Sequence, residues 1–226
     1  MPTTTASTLT AAGATAARGG SDSFTRDWIR TGATCGLLSV ASYLGAAFLP
    51  LPDTLAYAAA FAFGPLLAVG CTGLYHCLAE TRRTPLLQIA AAAAVAGGVT
   101  VLLMLTVQQS IFAARLAADG AVDAAPLRAG LNAVHLGLDV AWDVLIGLAV
   151  VLFGLAMVGH PQFGGVVGAT GSALGVLLVV FNLWYFPEPP GSAGSIDWGP
   201  FVALWLLGVF GMLLRAPRVD GAARSA

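Results

Sequence analysis

The stretch HLGLDVAWDV, residues 135–144, sets a histidine and two aspartates directly ahead of the uncharged run VLIGLAVVLFGLAMVG. On a helix turning about 100° per residue, Arg128, Asn132, His135, Asp139 and Asp143 fall at about 0°, 40°, −20°, 20° and 60°. Five polar side chains thus share an arc of roughly 80°. Val150 and Met157 continue that face inward, with Gly147 and Gly154 beside it, where small residues let a neighbouring helix come close.

This pattern points to three kinds of chemistry. Two carboxylates one turn apart repel when both are ionised, so Asp139 and Asp143 should titrate as a coupled unit, with His135 supplying a compensating charge. Such a series can relay protons or hold a cation. The same three side chains are ligand types that zinc or manganese accepts, but no second ligand cluster is evident, so the metal question stays open. The third role is structural: intramembrane polar groups also act as interhelical glue, worth on average about 0.6 kcal/mol.

Depth decides what the stripe costs. Counting about 20 residues outward from Met157 puts the hydrocarbon boundary near Leu138. Arg128, Asn132 and His135 then lie at or above the outer interface, Asp139 at the boundary, and Asp143 about 7 Å deeper. A carboxylate at mid-membrane costs roughly 3 kcal/mol, and less when shallower, which favours a stripe facing the bundle. Partners at the same level are Gln108, Gln109 and Ser110 at the outer end of the third span, Asn182 near the outer end of the fifth, and Tyr57 near the outer start of the second. Trp142, about 100° round from Asp143, is expected as a lid or as part of the outer aromatic belt.

Other candidates are weaker. His76, Cys77 and Glu80 cluster at the inner end of the second span, but adjacent helical residues point about 100° apart and chelate poorly, so snorkelling to the interface is the simpler account. His160 is expected to be exposed in an inner turn. Cys35, Cys71 and Cys77 lie in apolar segments without CxxC spacing and read as buried thiols. The chain has no GxSxG, HExxH or P-loop motif, and two aspartates on one helix do not resemble a protease dyad drawn from two helices. No catalytic residue and no cofactor is assigned.

The elements that must position this stripe follow from composition. The 226 residues are 58% hydrophobic and 9% charged, with a mean hydropathy of +0.84. Soluble domains carry about 25% charged residues. The apolar residues come in runs, not in alternation, which indicates membrane spans. All ten basic residues are arginine, they form no basic stripe, and nucleic acid is not an expected partner. The arginine-only, Ala/Gly-rich usage suggests a GC-biased bacterial genome.

Six segments are long enough to cross a bilayer: about 31–49, 55–78, 86–107, 137–158, 165–186 and 199–215. Pro50 and Pro52 follow the first. Asp53 is the expected N-cap of the second, Thr84–Pro85 opens the third, and Asp197 with Pro200 opens the sixth. Gly159 and Pro161 end the fourth, and Pro187, Pro189 and Pro190 end the fifth. With both termini cytoplasmic, eight arginines lie inside and only Arg115 and Arg128 outside, as the positive-inside rule favours. Trp184, Tyr185 and Trp198 flank the last external loop as an aromatic rim.

Residues 1–25 read as a disordered cytoplasmic tail without a signal-peptide core, residues 26–216 as one six-helix domain, and residues 217–226 as a short tail. The small-residue run GGVVGATGSALG offers a helix-packing surface for a homo-oligomer or another membrane protein.

Two segments, GLYHCLAETRR and DVLIGLAVVLFGLAMVGHPQFGGVVGATGSALGVLLVV, make spans two to six resemble a group of bacterial six-helix integral membrane proteins of unknown function. The resemblance implies a compact six-helix fold and brings no activity, cofactor or catalytic residue.

The chain is therefore expected to be an all-α polytopic bundle, N-in and C-in, in a bacterial cytoplasmic membrane, with an outward polar vestibule on the fourth helix. A structural or accessory role is the leading expectation. The alternatives are a proton- or cation-coupled small transporter or sensor using His135, Asp139 and Asp143, and a metal-dependent membrane enzyme.

Overall fold

The computed structural model describes the backbone of residues 6–117 and 125–215, and the side chains of residues 23–111 and 125–215. Of the tail expected over residues 1–25, the first five residues and the side chains of 6–22 lie outside that description, as does the whole tail over 217–226. The side chains of Arg18 and Arg115, and the whole of Arg218 and Arg224, lie outside it too.

Six helices follow one another: α1 (Ala6–Phe48), α2 (Asp53–Thr81), α3 (Pro85–Ala117), α4 (Ala125–Met157), α5 (Gly164–Tyr185) and α6 (Gly199–Leu214). No strand occurs among the described residues. Five helices carry segments long and apolar enough to span a membrane, with Ser23–Phe48 the relevant part of α1 and Pro85–Ile111 that of α3. The sixth, at 16 residues, measures about 24 Å against a hydrocarbon core of about 30 Å. The chain is an all-helical membrane bundle.

Short connections force chain neighbours to run antiparallel. Each helix packs on the one before it, and α6 closes the ring by packing mainly on α1 and more lightly on α5. Naming the end that carries the α2–α3 and α4–α5 turns the inner one, the inner half of this ring is solid: Leu74, Leu78, Leu87, Phe153, Met157, Phe210 and Leu213 are all fully buried. Val150 and Met157 point inward, as the stripe arithmetic requires.

Helices pack closely where side chains vanish. A Cβ on Gly154 would lie 2.6 Å from the Gly168 carbonyl oxygen, and one on Gly175 would lie 2.6 Å from that of Gly147. The backbones of α4 and α5 therefore touch, which is how membrane helices gain contact when apolar burial offers no preference over lipid. One face of the run GGVVGATGSALG accordingly packs inside the molecule: Gly168, Gly171 and Gly175 are buried, whereas Gly165, Val166, Ala169, Thr170 and Ala173 are exposed. Trp205 of α6 sits against Gly171 while its indole donates to the Val167 carbonyl at 3.0 Å.

Several helix boundaries differ from those expected. Thr84 does cap α3, its hydroxyl accepting from the Leu87 amide at 3.2 Å. Asp53 does not cap α2; it is the first helical residue, and Pro52 precedes it without a side-chain cap. Asp197 accepts from the Gly199 amide at 2.8 Å and so still serves the start of α6. The third and fourth spans were expected to end at 107 and to begin at 137, yet both helices continue about three turns further outward. Hydropathy falls there, but the backbone ladder runs on: the Thr106 and Ser110 hydroxyls fold back onto carbonyls four residues earlier without breaking it, and Pro126 sits at the start of α4, where a missing amide costs nothing.

The inner ends of four helices meet at the turn between α4 and α5. Gln162 donates to the Met212 carbonyl at 2.7 Å and accepts from the Cys77 thiol at 3.4 Å. His160, expected to be exposed, is 7% exposed. Its Nδ1 accepts from the Gln162 amide at 3.3 Å and its ring also bonds the Cys77 backbone. An Nδ1 that accepts carries no proton, so the ring is neutral with its hydrogen on Nε2. Burial pushes its pKa below the ordinary histidine value, and the Cys77 bond opposes this in part.

Candidate functional site

Where the inner half of the ring is filled, the outer half is not. A cavity of about 630 Å³ opens there among all six helices, with α5 contributing Leu178, and is roofed by residues 189–192 of the α5–α6 connection. Its floor is Leu67, Ile146, Leu178 and Leu206. Phe63 stands in the wall between Tyr43, at a ring-centroid distance of 5.3 Å, and Trp142, at 5.5 Å and edge-on.

The sequence-predicted residues separate into three groups. Asp143, Asp139, Gln108 and Tyr57 line the cavity, each from the helix expected of it, and Gln109 joins them. Asn182 stands behind Asp143, fully buried, and donates through Nδ2 to Asp143 Oδ2 at 3.0 Å and to the Leu178 carbonyl at 3.0 Å. The upper stripe residues do not line the cavity: His135 and Arg128 are half-buried and Asn132 is exposed. The arc is real, but only its deeper rungs reach the interior, because α3 and α4 project past the ring before the stripe ends.

Sequence reasoning missed Tyr43 and Phe63, and read Asp197 as a cap only. Tyr43 is the one hydroxyl-bearing aromatic of the first span, a signal that was legible. Asp197 has no such signal, since only the fold of the connection brings it to the cavity mouth. Trp142 lies in the cavity wall and not in the outer belt. Trp184, 80% exposed, fits a rim facing lipid headgroups, whereas Trp198 packs against Phe181 and Phe201.

The electrostatics of this space are one-sided. Asp143 is 8% exposed, and the charges of Asp139 and Asp197 both act on it. Among the described residues no basic side chain lines the cavity. Asp143 Oδ1 accepts no hydrogen bond from any described residue, and buried Asn182 Oδ1 has no partner. Rotating the amide would not help, since both of its neighbours are acceptors that need its NH₂ group.

Among the described residues, no three His, Cys, Asp or Glu side chains come together as a metal site. His135, outside the cavity, does not join Asp139 and Asp143 in such a group. Comparison with protein-family models, with curated proteins and with solved structures gives no match.

Proposed function

We propose that this multi-pass membrane protein binds cations or protons at Asp143 from the outer side of a bacterial cytoplasmic membrane, as a small cation-coupled carrier or sensor. One observation carries the reading: a carboxylate nine-tenths buried at a 630 Å³ cavity, near two more carboxylates, with a single neutral hydrogen-bond donor. A buried ionisable group left this far from satisfied is costly, and its persistence in a span marks function more often than packing. The orientation is supported by Arg26, Arg30, Arg82, Arg83 and Arg215, which the antiparallel order puts at the filled end of the ring, opposite the cavity.

The Asp143–Asn182 bond favours a second reading, in which the pair is α4–α5 glue. Infrared difference spectra of reconstituted protein separate the two. Titration with acid, sodium or methylammonium should change a carboxyl band that is missing in Asp143→Asn. If all three leave that band unmoved, the glue reading stands and the cation reading is wrong.

A further inference from the structure

We infer that the cavity takes an amphipathic organic monoammonium, its nitrogen held at Asp143 and its compact apolar body resting on the floor below. This rests on the reading of Asp143 as a cation site and adds the ligand's class.

Size argues first. A proton or a bare metal ion needs a space comparable to one water, about 30 Å³, whereas 630 Å³ falls in the range of about 300–1,000 Å³ typical of organic ligands. Polarity argues next. Asp143 Oδ1, at the cavity and without a donor among the described residues, calls for hydrogen-bond donors. An ammonium brings up to three together with the positive charge that the carboxylates lack. The walls then select the rest of the molecule. Phe63, Tyr43 and Trp142 form a continuous aromatic row, and aromatic faces attract cations within about 6 Å. Beneath them Leu67, Ile146 and Leu206 offer no polar atom, so a second charge at the deep end would be stranded without a partner. A single charge with an apolar body satisfies both Asp143 and the apolar floor beneath it.

Binding to full-length protein in nanodiscs tests this with four probes: phenethylammonium, its neutral isostere 2-phenylethanol, methylammonium and putrescine. Phenethylammonium should bind at least about 10-fold more tightly than each of the others. Asp143→Asn should weaken it by at least about 30-fold. The four-probe comparison uses unaltered protein, so it stands even if that variant misfolds. Equal binding of 2-phenylethanol would show an apolar hole without charge selection and overturn the inference, as would tighter binding of putrescine. If methylammonium, sodium or acid moves the Asp143 band while phenethylammonium binds no tighter than methylammonium, the cation site survives and the organic ligand is refuted. If none of them reaches Asp143, both readings fall together.

Discussion

The contact between Asp143 and Asn182 predicts a measurable coupling between α4 and α5. Alanine is introduced at each position singly and then at both, and unfolding free energy is measured by steric trapping in bilayer discs. A hydrogen bond to a charged partner contributes about 1.5–3 kcal/mol in soluble proteins. Interhelical polar bonds in membranes average about 0.6 and reach about 1.7 kcal/mol, because the unfolded helices find other partners. Asp143 also borders a cavity, so the lower range applies, and the expected coupling is about 0.6–1.7 kcal/mol. The single changes should not mirror each other. Asn182→Ala loses the 3.0 Å bond but also removes the orphaned Oδ1, whose burial costs about 1–3 kcal/mol. Those effects oppose, so Asn182→Ala alone should be close to neutral. The cycle isolates the pair regardless. A coupling within about 0.3 kcal/mol of zero, the ordinary limit of additivity, would mean the two side chains do not meet in the membrane, and the cation site would lose its anchor.

Gly154→Val should destabilise the bundle by about 1–3 kcal/mol, because α4 and α5 must separate by roughly 1 Å to admit the new side chain; an unchanged unfolding midpoint would deny the close contact. His160, buried as the neutral ring, stabilises fully above the unfolded value of about 6.5, and that contribution drains away as pH falls below it. Stability should therefore drop by at most about 1.4 kcal/mol per pH unit on acidification below that value, and His160→Gln should flatten the profile; an equal slope in both proteins would contradict the buried neutral ring. A cysteine at Ser192 should react with a membrane-impermeant maleimide on intact cells, and one at Arg83 only after permeabilisation; the reverse pattern would invert the proposed orientation. Gln162→Leu strips partners from Cys77 and Met212 and should cost about 1–3 kcal/mol, measured as a lowered melting temperature, with no loss meaning the inner latch is incidental.

Much of the fold was legible because a bilayer leaves a chain few options. Every backbone amide must be satisfied within its own segment, so long apolar runs become helices, and proline and Thr84–Pro85 punctuation placed most of their ends. The angular spacing of Asp139 and Asp143 likewise anticipated that they share a face, and both line one cavity. The outward continuation of α3 and α4 was not legible, since hydropathy reports where lipid ends and not where hydrogen bonding does. The burial of His160 was hidden too: a short turn looks exposed until Gln162 and Cys77 close over it.

What the sequence determined by itself is therefore one-dimensional: which stretches are helical, where proline and glycine punctuate them, and which polar residues share an arc. Tertiary packing decided the remainder. Which glycines of the fifth helix meet the fourth helix, whether His135 enters the site, and whether Asp197 reaches its mouth all depend on where separate helices lie around the ring. Those choices turn on contacts of a few ångströms between residues distant along the chain, such as the 39-residue interval between Asp143 and Asn182, and periodicity within a single helix carries no information about them.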